Sequence, residues 1–174
     1  MALQPVAAMS PNDLRRVFGR FTTGVVVVTA RADGGPPHGM TVNSFTSVSL
    51  GPPLVLVCLQ HRSRTTEAVR SSGAFAISVL GARQEHMARR FAAPGEDHFE
   101  DFPHSMDDQE VPSVPDALAH LECVVEHRVV AGDHDIVVGR VLKAHDREGD
   151  PLAFFGGRFG EYVGRDYEPF RWLF

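Results

Sequence analysis

Cysteine is scarce in this 174-residue sequence: there are two, Cys58 and Cys123, and each lies within an apolar run. A free, buried thiol fits that setting better than a disulfide or a metal ligand, which indicates a reducing compartment. No segment approaches the roughly 18 apolar residues that a membrane-spanning helix needs, and the N-terminus has no basic region followed by an apolar run. The sequence therefore predicts a soluble, cytoplasmic protein without a membrane partner.

Runs of lysine or arginine are also missing, and the formal net charge is −5, so we expect no nucleic-acid partner. The chain lacks a Gly-x-Gly-x-x-Gly segment after a strand and a Gly-Lys-Ser/Thr loop, which argues against a Rossmann dinucleotide site and a nucleoside triphosphatase. None of the nine histidines forms a pair with the short helical spacing of zinc sites, so no metal is predicted.

Hydrophobic residues make up 43% of the chain, and the composition does not shift along its length. This indicates one domain over residues 10–165, with a flexible lead at 1–9 and a C-terminal tail at 166–174. An N-cap at Ser10, followed by proline, predicts a helix that ends near Phe18.

Valine-rich and β-branched runs predict most of the remaining structure as strands. Two of these runs flank residues 132–135 and are typical of an antiparallel hairpin. Residues 94–115 carry acidic clusters without periodicity and are predicted as a solvated loop. We expect strands at 24–30, 54–59, 75–80, 121–131, 136–144 and 152–155, and helices near 64–70 and 84–91. This pattern predicts a mostly antiparallel β-barrel with a few peripheral helices.

Residues 39–50 hold more hydroxyl and amide side chains than a structural strand pair requires. We interpret them as two short strands, in which Phe45, Ser47 and Ser49 alternate with Thr46, Val48 and Leu50. One face would then be rich in hydroxyls and suited to a flat polar ligand. A solvated sheet face is the alternative explanation.

Four segments in order, residues 24–29, 39–50, 52–58 and Gly132-Asp133-His134, resemble the flavin reductase-like family. The resemblance covers residues 14–162. It implies the FMN-binding split β-barrel, a Greek-key-like fold, and an NAD(P)H:flavin oxidoreductase that supplies reduced flavin to a separate monooxygenase. It also implies FMN or FAD and NADH or NADPH as cofactors, and a homodimer is expected.

The resemblance implies that the flavin ring lies along residues 39–50 and the next strand. Backbone amides and hydroxyls there would donate to the ring carbonyls and nitrogens, and would stabilise the negative charge of the reduced ring. The residues implied are Met40, Thr41, Val42, Asn43, Ser44, Ser47, Cys58 and Leu59.

Ser63, Arg64 and Thr65 precede a predicted helix and would hold the flavin phosphate, because a helix N-terminus offers free N–H groups and a favourable dipole. An ordinary helix cap with a solvated arginine is the alternative.

The resemblance places Gly132, Asp133 and His134 at the nicotinamide, where Asp133 would orient the His134 ring. Turn chemistry alone is the competing interpretation. Asp135 would make this turn acidic and poor for binding a pyrophosphate directly. Phe159 is a further candidate on the nicotinamide side, although core packing explains most aromatic residues near the C-terminus.

Two other functions remain open at this stage. One is a flavoprotein that retains its flavin and transfers electrons without NAD(P)H turnover, which tight flavin retention would reveal. The other is a small-molecule-binding barrel without a redox role, which would stay colourless with added flavin.

Overall fold

The computed structural model describes residues 5–95, 98–102, 104–106 and 111–164. Three α-helices occur in it: α1 (Pro11–Phe18), α2 (Arg64–Ser72) and α3 (Glu85–Ala92). Its strands are β1 (Thr23–Gly24), β2 (Val26–Arg31), β3 (Pro37–Val42), β4 (Thr46–Leu50), β5 (Pro53–Gln60), β6 (Ala74–Val79), β7 (Ser105–Met106), β8 (Pro112–Ser113), β9 (Ala119–Ala131), β10 (His134–Asp146), β11 (Leu152–Phe155) and β12 (Arg158–Glu161). Val6–Ala8 forms a short 3₁₀ turn within the predicted lead, and the predicted tail lies outside the described residues.

The capped first helix is confirmed. The Ser10 hydroxyl accepts a hydrogen bond from the Asp13 N–H at 3.2 Å, and the Asp13 carboxylate accepts one from the Ser10 N–H at 3.2 Å. This reciprocal pair is a capping box, which satisfies donors that the first helical turn leaves free.

Seven strands form one antiparallel sheet in the order β3-β2-β6-β9-β10-β5-β4. The long hairpin of β9 and β10 lies within it, and β6 and β5 pair with its two outer sides. Several neighbouring strands are far apart in sequence, as in Greek-key arrangements. Mostly β structure with a few peripheral helices, the predicted fold class, is confirmed.

The predicted pairing of the two short strands in residues 39–50 is wrong. β3 pairs with β2 and β4 pairs with β5, so the two strands are opposite edges of the sheet. The sheet curls so that β3 approaches β5. In the connection after β3, the Ser44 hydroxyl donates to the Cys58 carbonyl at 3.0 Å and accepts from the Cys58 N–H at 2.9 Å. These two hydrogen bonds join the connection after β3 to β5, the strand next to the opposite edge of the sheet.

β2 is buried on both faces because the sheet is covered inside and outside. On one face Val26, Val28 and Ala30 pack with residues of β5, β6 and α2. On the other, Val25 and Val27 pack against α3 and the chain that follows it. This two-sided burial explains the unbroken valine run in the sequence.

The predicted solvated loop at 94–115 is wrong for its described residues, whereas residues 96–97, 103 and 107–110 lie outside the described part of the chain. Phe99 and Phe102 are 8% and 6% exposed, and both rings pack edge-on against Phe91 of α3 with centroids 5.3 and 5.6 Å away. Edge-to-face packing of this kind adds stability beyond area burial. Because this segment is rich in acidic residues, the sequence did not indicate these apolar contacts.

A second sheet of three strands, in the order β1-β11-β12, lies near α1. β11 matches the predicted last strand, whereas β12 was not predicted. The backbone N–H of Gly156, in the β11–β12 turn, donates to the Gly19 carbonyl at 2.9 Å and joins this sheet to the end of α1. No helix in the described part of the chain is long and apolar enough to span a bilayer.

Candidate functional site

A cleft of about 410 Å³ opens where the end of β5 leads into α2. Met40 and Thr41 of β3 form one wall, and Ser63, Arg64 and Thr65 form the floor at the start of α2. Five of the predicted flavin residues therefore lie around one cavity, although β3 and α2 are separate in sequence.

The start of α2 is held in a fixed shape by its cap. The Ser63 hydroxyl accepts from the Thr66 N–H at 3.0 Å and lies 2.8 Å from the Thr66 hydroxyl. It also lies 3.7 Å from the sulfur of Met40, so the cap contacts the β3 wall. The first backbone N–H groups of a helix lack partners within the helix and favour an anion.

Basic side chains line this cleft. Arg62 and Arg64 lie there together with His38 and His98, and no aspartate or glutamate occurs among its described lining residues. Basic groups around a helix N-terminus fit a phosphate-bearing cofactor.

The wall opposite α2 is formed by the end of α3 and the chain after it. His98 has one ring nitrogen 3.0 Å from the Gly39 carbonyl and the other 2.8 Å from the Ala93 carbonyl. Gly39 has no room for a side chain, since an added Cβ would lie 2.7 Å from the Phe91 ring. His98 was not predicted, and nothing in its sequence setting indicated it.

Two predicted flavin donors use their hydroxyls within the fold. Thr41 donates to the Ala88 carbonyl of α3 at 2.8 Å, and Ser44 is engaged with Cys58. The backbone groups of Thr41 and Ser44, rather than their hydroxyls, would then be available to hydrogen-bond to a flavin ring. Asn43 is exposed and lines a second, shallower cleft of about 590 Å³ together with Ser44 and Phe45.

The other predicted flavin residues lie outside these two clefts. Val42 ends β3 and Ser47 is exposed on β4, where a bulge between Ser47 and Ser49 breaks the predicted alternation. Leu59 is fully buried in the core, so its side chain is unavailable to a cofactor. Cys58 is half-buried.

The Gly132-Asp133-His134 motif forms the turn between β9 and β10. Gly132 has a φ of 63°, a backbone conformation that favours glycine, and the Asp133 carboxylate lies 2.8 Å from Nδ1 of His134. Gly132 and Asp133 line a depression of about 370 Å³ with Gln60, His61 and Arg62. Gln60 and Arg62 line both this depression and the 410 Å³ cleft, which we call the phosphate cleft after its predicted ligand, so the two predicted cofactor ends are adjacent.

The prediction that Asp135 makes the turn acidic is wrong. Asp135 is the second residue of β10, pairs with Leu59 and Val130, and has no exposed surface. Side chains alternate along a strand, so Asp135 points inward while His134 points to the other face.

Three basic side chains surround the Asp135 carboxylate. Arg70 of α2 donates to Oδ2 from two nitrogens, at 3.0 and 2.9 Å, and Arg128 of β9 donates to it at 2.8 Å. His61 Nδ1 lies 2.7 Å from Oδ1. Burial alone would raise the pKa of Asp135, but the hydrogen bonds from Arg128, His61 and Arg70 outweigh it and bring the pKa to about 2. The carboxylate stays ionised at neutral pH.

Phe159 of β12 lies elsewhere. It packs against Phe154 with ring centroids 5.4 Å apart, and the guanidinium of Arg89 lies 5.4 Å from its ring. It lines neither of the clefts nor the depression described above. Its placement on the nicotinamide side stays a prediction.

Comparison with known proteins supports the same relationship along most of the chain. The profile of the flavin reductase like domain matches residues 18–162. FMN reductase (NADH) SmoA of Agrobacterium fabrum is 48% identical over 151 residues, which are 87% of this chain and 86% of that protein. The reductase component of a 4-nitrophenol 4-monooxygenase/4-nitrocatechol 2-monooxygenase from Rhodococcus opacus is 40% identical over 162 residues, covering 92% of this chain and 84% of the relative.

Solved structures agree. NADH:FAD oxidoreductase SgcE6 of Streptomyces globisporus, in complex with NAD and FAD fragments, superposes with a TM-score of 0.84 and 40% identity, over 91% of this chain and 98% of that one. The resemblance predicted from the four sequence segments is confirmed. This chain belongs to the flavin reductase-like family.

Proposed function

We propose that this protein is an NAD(P)H:flavin oxidoreductase that reduces FMN or FAD and delivers the reduced flavin to a separate monooxygenase component. The observation that carries the proposal is the phosphate cleft, in which Arg62 and Arg64 lie beside the capped start of α2. A flavin nucleotide brings the phosphate that such a cleft favours.

Each residue group has a distinct part in the proposal. Ser63, Arg64 and Thr65 hold the flavin phosphate, and the backbone of β3 and its connection to β4 directs donors at the ring. The turn at Gly132, Asp133 and His134 receives the nicotinamide, and the Asp133 carboxylate orients the His134 ring. When bound, the flavin accepts a hydride from the reduced nicotinamide, so the chain contributes proximity and electrostatics rather than a general base.

The monooxygenase partner is inferred from relatives. The Rhodococcus opacus relative is named as a reductase component of a monooxygenase, and a two-component arrangement requires reduced flavin to leave the reductase. The exposed clefts described above suit moderate binding and release. FMN and FAD share the ring and first phosphate that these residues would contact, so both are candidate substrates.

A homodimer in the cytoplasm completes the proposal. Phe18 and Phe21 are 70% and 78% exposed and line the shallow cleft that also contains Asn43. Large exposed aromatic groups beside a cleft are typical of interfaces. Cys58 and Cys123 are both free thiols, which suits a reducing compartment. Light scattering after size-exclusion chromatography tests the homodimer by measuring the molecular mass of the protein in solution. Phe21→Ser is expected to lower that mass toward the value of a monomer.

The experiment for the activity follows NADH and NADPH absorbance with the purified protein, with and without added FMN or FAD. We expect oxidation that depends on flavin, and loss of flavin from the protein during gel filtration. Failure of both nicotinamide cofactors with both flavins would exclude the reductase function. Flavin that stays bound through purification without NAD(P)H turnover would instead indicate an electron-transfer flavoprotein.

A further inference from the structure

We propose that Arg62 binds the pyrophosphate of a dinucleotide, either FAD or the nicotinamide cofactor. This inference rests on the proposed function and names a residue that the family resemblance did not single out. Arg62 stands on the wall shared by the phosphate cleft and the depression beside the Gly132–Asp133 turn. A group bound there is one residue away from Ser63, where the first flavin phosphate is expected.

The Arg62 side chain is exposed and forms no hydrogen bond or ion pair within the described part of the chain. Other arginines around the site are engaged, since Arg70 and Arg128 both donate to Asp135. Arg62 therefore keeps its guanidinium donors available, and a guanidinium matches phosphate oxygens through paired hydrogen bonds.

The backbone around Arg62 is fixed on both sides. The His61 N–H donates to the Asp133 carbonyl at 3.0 Å, and the Ser63 N–H donates to the Gln60 carbonyl at 3.1 Å. The Thr66 hydroxyl also donates to the Gln60 carbonyl, at 2.8 Å. The ring of His61 is held by the buried Asp135. A loop fixed at this many points presents its arginine with little ordering cost on binding.

The position of Arg62 favours a second phosphate beside the first. Arg62 immediately precedes Ser63, the N-cap of α2, where the first flavin phosphate is expected, and it lines the phosphate cleft. The two phosphates of a pyrophosphate share one bridging oxygen, so the second phosphate would lie close to a guanidinium one residue away.

Mononucleotides provide the test, because FMN and reduced nicotinamide mononucleotide lack the pyrophosphate of FAD and NADH. The variant Arg62→Gln removes the charge, and Arg62→Lys keeps it. Arg83→Gln is the matched control: Arg83 is exposed, lines a different cleft, and has no partner among the described residues. Flavin fluorescence quenching and NADH fluorescence titration give dissociation constants without turnover.

We expect Arg62→Gln to weaken FAD or NADH binding by about tenfold, the loss of one charge-assisted contact, and to leave the matching mononucleotide within about twofold. Arg62→Lys should recover part of the affinity. A selective loss for FAD over FMN assigns the pyrophosphate to the flavin, and a selective loss for NADH over its mononucleotide assigns it to the nicotinamide cofactor.

Equal losses for mononucleotide and dinucleotide, no loss for either, or the same loss in Arg83→Gln would overturn the assignment of Arg62. These results are independent of the proposed activity, which fails only if the unmodified protein shows no flavin-dependent NAD(P)H oxidation.

Discussion

The backbone N–H of His61 donates to the backbone carbonyl of Asp133 at 3.0 Å, and this bond joins the β5–α2 loop to the β9–β10 turn. Asp135 reinforces the junction, because its carboxylate contacts His61 in the loop and Arg70 in the helix. The segments proposed for the flavin phosphate and for the nicotinamide thus form one unit. Their spacing is set by buried contacts rather than by the cofactors.

Arg64→Gln is expected to weaken FMN binding by about 1.5–3 kcal/mol, since one charge-assisted contact to phosphate is lost. Riboflavin, which has no phosphate, should bind as before. Fluorescence quenching measures both affinities. Equal losses for FMN and riboflavin would show that the start of α2 only supports the fold.

His134→Ala is expected to raise the Michaelis constant for NADH or slow hydride transfer while the flavin dissociation constant stays near the unmodified value. The reason is that the proposed flavin contacts lie on β3 and α2, whereas His134 lies in the β9–β10 turn. Single-turnover reduction and flavin titration separate the two effects. His86→Ala, an exposed histidine lining a different cleft, is the control.

An unchanged NADH response in His134→Ala would place the nicotinamide elsewhere, with the Phe159 segment as the next candidate. A parallel loss of flavin affinity would mean that the turn shapes the barrel as a whole.

Asp135→Asn is expected to destabilise the fold by about 2–3 kcal/mol at pH 7, because Arg70 and Arg128 lose the charge of their buried partner. Urea unfolding gives the free energy. The control is Asp133→Asn, whose carboxylate is 92% exposed in the adjacent turn and should change stability little.

Acid titration of stability tests the same group. The pKa of Asp135 is about 2 in the folded protein, below its ordinary value of 3.8. A lowered folded pKa means that the ionised carboxylate contributes its full stability above about pH 4, and that this contribution is lost as the pH falls from 4 toward 2. Asp135→Asn should lose less stability over that window, and identical slopes for the two proteins would contradict the ionised cluster.

Ser44→Ala is expected to cost about 1–3 kcal/mol of unfolding free energy, because the Cys58 N–H of β5 loses its hydrogen bond to the Ser44 hydroxyl. Thermal and urea unfolding measure the loss. Ser47→Ala removes a neighbouring exposed hydroxyl that has no hydrogen bond in the described structure and should stay within about 0.5 kcal/mol. Equal effects of the two substitutions would mean that the Ser44 contacts are not stabilising.

Local signals in the sequence predicted local structure well. The cap at Ser10, the cap at Ser63 and the β9–β10 turn each depend on residues within a few positions, and all three occur in the structure. The pairing of β3 and β4 failed because it depends on partners far away in the chain. A short strand gives no indication of which distant strand it will join.

The sequence predicted which types of residue form the candidate site, but not how these residues are arranged in space. Ser63 and Thr65 were predicted and line the cleft, whereas Arg62 was not predicted, because its place between two cavities exists only after folding. Asp135 was assigned to the turn, because the exact start of β10 decides which way its side chain points. Long-range burial likewise hid Phe99 and Phe102.

The lack of space for a side chain at position 39 couples the shape of the cleft to the packing of the aromatic core. Any side chain at position 39 must displace Phe91, whose ring would lie 2.7 Å from the new Cβ, and Phe91 itself lines the phosphate cleft while contacting Phe99 and Phe102. Widening or narrowing this cleft from the β3 side therefore means redesigning the packing beneath α3 as well. Mutational libraries that keep glycine at position 39 and vary the start of α2 can alter the cleft without displacing Phe91 from that side.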